Sequence, residues 1–224
     1  MQCVRIWFRK VGRAKYISHL DLMRAMTKAV RRAGIPLWYT EGFNPHPYMT
    51  FALPLSLFVE SERECVDIKI EGDMSLEEIK NRFDGVMAEG MEVIDVNIPV
   101  NDHQEIRYAR YEMTLDFEDG TAAANYFYSA QALMTGDDLT AMKKGKQGRK
   151  KVLREVVLNP HIFNPLFEQN GTSVKITVDL SAGQQININP SLVIDALSER
   201  IGIQPTYRTI VKKSLMIEGF KEFK

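Results

Sequence analysis

The sequence predicts an α+β protein built as two tandem ferredoxin-like halves, each running β-α-β-β-α-β. Three observations lead there. Short runs alternate apolar and polar residues, as half-buried strands do, and capped stretches of helical period separate them. The order strand-helix-strand-strand-helix-strand in the first half returns in the second. With 224 residues, 45% of them hydrophobic, the chain is long enough for one large core or two smaller ones.

The elements follow in order. Gln2 to Lys10 alternates, with Val4, Ile6 and Phe8 inward and Arg5, Trp7 and Arg9 on an outer face. Ser18 and Asp21 have capping-box spacing and start a helix over 18–33. Leu20, Met23, Met26, Val30 and Ala33 give that helix a buried stripe, while Arg24, Lys28, Arg31 and Arg32 share an exposed face. Gly34 and Pro36 end it. A strand near 36–40 and a long loop come next. Cys65 to Ile70 is a strand, Ser75 caps a helix reaching about Ala88, and Met91 to Ile98 is a strand.

Pro99 to Glu105 marks the boundary, giving domains 1–100 and 106–224. In the second domain, strands are expected at 107–117, 138–143, 151–158, 173–180 and 207–217, with helices at 121–134 and 191–200. A Lys/Gly-rich turn joins the second and third of these strands. Asn44-Pro45-His46 is echoed by Asn159-Pro160-His161, a weak sign of duplication.

The SHLDLMR run, the RRAGIP turn, and the GFNPHP loop leading into FALPL and an acidic SxxE carry a resemblance. Over roughly the first seventy residues the chain resembles the bacterial radical SAM-linked (radical SAM-associated) proteins, a family of unknown function. The resemblance implies a separate radical S-adenosylmethionine enzyme as partner. A radical SAM core needs three closely spaced cysteines for its cluster, and Cys3 and Cys65 are the only two here. They also make neither a zinc site nor a disulfide framework, and are expected to be small buried strand residues.

Formal net charge is zero, with 29 basic and 29 acidic residues, but the charges are segregated. Up to Arg32 the cations Arg5, Arg9, Lys10, Arg13, Lys15, Arg24, Lys28, Arg31 and Arg32 face Asp21 alone, whereas acids predominate from Glu60 to Asp119. A second basic cluster surrounds the turn, with Lys144, Lys146, Arg149 and Lys150. No apolar run approaches a membrane span and the N-terminus lacks a signal-peptide core, so a cytoplasmic protein without membrane contact is expected.

Four candidate sites follow. The basic helix face with Arg5, Trp7 and Arg9 has the guanidinium and indole groups that contact phosphates and stack on unpaired bases. In the loop Gly42-Phe43-Asn44-Pro45-His46-Pro47-Tyr48, glycine and prolines stiffen the backbone, and Asn44 and His46 are better placed than Phe43 to face a ligand. His19 in a first helical turn is held neutral by the helix dipole and, with Tyr16 and Lys15, forms a candidate acid–base group. The Lys/Gly turn suits phosphate contact and is not a P-loop. The four histidines show no metal spacing, and no cofactor motif occurs. The expected function is a non-catalytic accessory protein that binds RNA, or an RNA–protein substrate, for the radical SAM enzyme. Metal-independent RNA processing and protein docking without nucleic acid are the alternatives.

Overall fold

The computed structural model describes residues 1–147 and 150–224, with the backbone alone over 143–147 and 150–153. The fold is mixed α+β, and the chain forms two compact units, residues 1–106 with 212–224 and residues 107–211.

The first unit begins with β1 (Gln2–Lys10), α1 (His19–Arg32), β2 (Met49–Phe51), β3 (Val59–Ile70), α2 (Leu76–Arg82) and β4 (Met91–Asn97). Its strands lie in the order β4-β1-β3-β2, all neighbours antiparallel. Ser18 caps α1: its Oγ accepts from Asp21 N at 3.2 Å and donates to Asp21 Oδ2 at 2.7 Å. The hydrogen bond from Ser18, with help from Arg24, holds the Asp21 carboxyl below its ordinary range.

Leu22, Met26, Ala29 and Val30 of α1 pack with Val4, Ile6 and Phe8 of β1 and Val66, Ile68 and Ile70 of β3. Each such side chain contributes roughly 1.5–3 kcal/mol when fully buried, less for alanine. The stripe is thus rotated from the one expected: Leu20 is 64% exposed and Met23 half-buried. Helical spacing admits both sets; Met26, Val30 and Ala33 belong to both, and the packed one takes Leu22 and Ala29 in place of Leu20 and Met23. Two further expectations change. Residues 36–40 make only isolated bridges, Leu37 to Ile70 and Tyr39 to Pro47. The second helix stops at Arg82 rather than near Ala88, and Gly85 follows with φ +71°.

The second unit contains β5 (Tyr108–Asp116), α3 (Gly120–Thr135), β6 (Thr140–Gln147), β7 (Lys150–Val157), β8 (Ile162–Asn170), β9 (Ser173–Ser181), α4 (Pro190–Ile201) and the start of β10 (Tyr207–Ile217). Its main strands run β10-β5-β9-β8, while β6 and β7 pair only with each other. The strands expected at 138–143 and 151–158 and joined by a turn are this β6–β7 pair, whereas β8 is a strand that the sequence does not announce. That strand carries Pro165, and Asn164 sits at φ +50° where the register shifts between Phe163 and Leu166. As an edge strand it tolerates both features, which is why its sequence does not read as a strand. In the core, Tyr126 stacks on Phe117 at 4.7 Å and lies 3.4 Å from Ser198 Oγ; burial pushes its hydroxyl up to about 12.

Residues 212–217 of β10 belong to the first unit and lie beside β3; β11 (Lys221–Glu222) then pairs back onto β10. The expected second domain, 106–224, therefore loses its last thirteen residues to the first unit.

Candidate functional site

Arg5 and Trp7 do not form an outer face. Both are buried, and only Arg9 of the three is exposed, paired with Glu92. The reason is a polar clamp on the second side of the sheet. Arg5 Nε and Nη2 donate to Asp67 Oδ1 and Oδ2 at 2.7 and 2.8 Å, and its remaining donors reach the carbonyls of Lys224 and Asn101. Phe223 lies 4.3 Å beneath the guanidinium, and His103 Nε2 is 2.9 Å from Asp67 Oδ2. Trp7 donates to Asn97 Oδ1 and is covered by Arg63 at 4.3 Å. Alternation places these residues on the face opposite Ile6, but only the returning C-terminal segment reveals that this face is covered.

The α1 cations behave differently. Arg24, Lys28, Arg31 and Arg32 are exposed, as the helical spacing indicates. Arg24, Lys28 and Arg32 line an open cleft of about 600 Å³ with Arg13 from the 3₁₀ turn Gly12–Tyr16. Its carboxylates are Asp21, already 3.1 Å from Arg24, and Glu89; Ile17, Ala25 and Met91 are among its apolar residues. Arg13 was not among the site residues expected, although its place in the acid-poor N-terminal stretch was the available signal. Gly90 lies between the cleft residues Glu89 and Met91: its carbonyl accepts from Val11 N at 2.8 Å, and at φ +78° a Cβ would stand 2.5 Å from the Val11 carbonyl.

The Gly42–Tyr48 loop is the distal part of a short hairpin. Thr40 N donates to the His46 carbonyl and Tyr48 N to the Trp38 carbonyl, at 2.9 and 3.0 Å, while Trp38 N donates to the Lys69 carbonyl. Gly42, at φ +127°, serves the turn. His46 Nδ1 lies 3.0 Å from Thr40 Oγ1 and 3.2 Å from the Asn44 carbonyl, which holds the ring over the turn. Phe43 is wholly exposed at the tip, and Asn44, Pro45 and His46 are exposed beside it. Pro47 and Tyr48 form the half-buried stem, where Lys69 Nζ sits 4.3 Å from the Tyr48 ring. Arg31 donates to Tyr39 Oη at 2.8 and 3.1 Å and so ties α1 to this hairpin. The echoing Asn159 instead braces a turn: it accepts from Leu139 N and donates to the Leu133 carbonyl.

His19, Tyr16 and Lys15 each face a different neighbour. The His19 ring packs edge-on to Phe51 at 5.4 Å, Tyr16 packs on Phe58 at 5.9 Å, and Lys15 pairs with Glu60 at 3.2 Å. Burial is the main cause that lowers the His19 pKa, and nearby Lys10 adds to it against the pull of Glu64. Behind it the sequence reading overlooked a buried ionic group. Lys212 Nζ stands 2.6 Å from Glu64 Oε1, off the ideal hydrogen-bond direction, and Lys10 is buried nearby. Burial lowers the Lys10 pKa; Glu64 opposes this and Lys212 reinforces it.

The side chains of Lys144, Lys146 and Lys150, and all of Arg149, lie outside the described residues. Among the described residues no three His, Cys, Asp or Glu side chains gather as a metal site, and no helix is long and apolar enough to cross a membrane.

The solved structures that this chain resembles include two distant likenesses. One is to a chain of a "Crystal Structure of a Cbf5-Nop10-Gar1 Complex", at 12% identity and a TM-score of 0.49, covering 98% of this chain and 50% of that one. This chain therefore spans about half the length of that relative. The other is to an unknown protein from Galdieria sulphuraria, at 7% identity and a TM-score of 0.26, covering 94% of this chain and 98% of that one. No curated protein matches the sequence. The family described as "Uncharacterized protein conserved in bacteria (DUF2344)" matches residues 4–190, most of the chain, and the protein belongs to that family.

Proposed function

We propose that this protein is a non-catalytic accessory protein that binds RNA along the α1 cleft and works with a separate radical SAM enzyme. The observation that carries the RNA part is the convergence of Arg13, Arg24, Lys28 and Arg32 on one open cleft, where one carboxylate is already paired with Arg24. Exposed cations on a rigid helix gain affinity for a phosphate backbone by releasing its counterions. With Trp7 buried, the exposed rings of Tyr16, Phe58 and Phe43 take over the stacking role in this proposal. Phe58 holds φ +66°, a conformation costly for a non-glycine residue and one that presents its ring beside Tyr16. His19 is a packing residue in this reading.

The radical SAM partnership rests on the resemblance carried by SHLDLMR, RRAGIP and GFNPHP. The finer fold reading, two ferredoxin-like units, is supported by the strand orders β4-β1-β3-β2 and β10-β5-β9-β8, with the β6–β7 hairpin as an insertion in the second.

Fluorescence anisotropy with a labelled single-stranded RNA tests the binding proposal. Arg13→Gln with Arg32→Gln should weaken binding roughly tenfold without lowering the melting temperature, since both side chains are exposed. Unchanged affinity in that variant removes the cleft from the RNA path.

A further inference from the structure

Along its other flank α1 borders a second groove, about 430 Å³ in volume, facing the stem of the hairpin loop. Leu20, Met23 and Thr27 floor it from the helix, and Pro47 and Met49 complete the floor. Thr27 adds little polarity. Its hydroxyl donates to the Met23 carbonyl at 2.8 Å and lies 3.8 Å from Met49 Sδ, so its own needs are met. Leu20, 64% exposed, is the residue whose helical spacing suggested a core position, yet the core does not use it. Paired methionines in an open groove suit a helical ligand, because the flexible thioether adapts to the side chains laid against it.

The rim supplies the charge. Arg24, Lys28, Arg31 and His46 border the floor, and no carboxylate lines the groove. Arg24 shares its charge with Asp21, and Arg31 is steadied by Tyr39 Oη. An apolar floor between cations is complementary to an apolar stripe between anions. Leu20, Met23 and Thr27 span eight residues of helix, a rise of about 10 Å, which matches roughly two turns of a facing helix. We propose that this groove docks an acidic amphipathic helix of a partner protein, with Arg24 and Lys28 bordering both this groove and the cleft on the other flank. A nucleic acid fits it less well, because His46 at the rim is the one ring among the groove's lining residues and the floor is aliphatic and thioether.

The test uses the full chain and two fluorescein-labelled helical peptides of about 16 residues, each with leucine at i, i+3, i+4 and i+7. One carries glutamates beside the stripe and the other lysines. The glutamate peptide should bind and the lysine peptide should not. Met23→Asp should weaken the glutamate peptide roughly tenfold or more, and Arg31→Glu should reverse the preference between peptides. Circular dichroism melts verify that each variant is folded, and Met23→Leu should retain binding. Equal binding of both peptides, no binding of the glutamate peptide, or indifference to Met23→Asp in a folded variant overturns the proposal. So does displacement of the peptide by an oligouridylate in wild type and Arg13→Gln/Arg32→Gln alike, which assigns the groove to RNA. Sedimentation showing self-association that Leu20→Asp abolishes overturns it too, by making a second copy the occupant.

Discussion

Arg5 and Asp67 meet through two hydrogen bonds of 2.7 and 2.8 Å, and the guanidinium they share has no exposed surface. The two residues are sixty-two positions apart, and Arg5 also fastens β1 to the carbonyls of Asn101 and Lys224. Arg5→Ala should cost about 3–5 kcal/mol, because it leaves a buried carboxylate and two carbonyls without their donor. Urea denaturation measures this. Burial works to raise the Asp67 pKa, but the hydrogen bonds from Arg5, with His103 close by, win and hold it below the ordinary value. Its contribution is therefore complete above about pH 4 and is lost as pH falls through the lower folded value. A wild-type loss in acid that Arg5→Ala lacks is the expected signature.

Lys212 and Glu64 form the second buried pair, at 2.6 Å. Lys212→Met alone should destabilise by about 3–5 kcal/mol, and Lys212→Met with Glu64→Leu should recover a large part of that loss. Denaturation of the double-mutant cycle decides it; full additivity means that the two charges do not depend on each other.

His19 adds a pH dependence of opposite sign to that of a salt-bridged histidine. Burial lowers its folded pKa, so between that value and about 6.5 the unfolded chain binds the extra proton. The penalty is complete below the folded value and disappears as pH rises past the unfolded one. Melting temperature should rise from pH 5 to pH 7 in wild type and rise less in His19→Gln, whose amide does not titrate. Parallel profiles for the two proteins contradict this.

Local signals in the chain were legible where one residue dominates a boundary. Ser18 and Ser75 cap α1 and α2, and Pro190 opens α4 as its first residue, where its missing N–H costs nothing. The α1 cations were equally readable, since an amphipathic helix leaves them one face to occupy. What could not be read depends on distant partners. Alternation assigns Arg5 and Trp7 to the face opposite Ile6, but it cannot say that residues 223 and 224 return to cover them. The stripe of α1 was ambiguous for a related reason: Leu20 and Leu22 are equally apolar, and only the position of the sheet decides which is buried. The edge strand β8 was concealed by Pro165 and Asn164, residues that a central strand rejects and an edge accepts.

The most direct measurement is the salt dependence of RNA affinity for wild type and for Arg13→Gln/Arg32→Gln, by anisotropy of one labelled single strand. The account predicts that log affinity falls steeply with log salt in wild type, and that the variant's slope is shallower by about 0.7 per phosphate contact removed. A flat wild-type response, or identical slopes in the two proteins, would contradict the claim that the α1 cleft binds RNA.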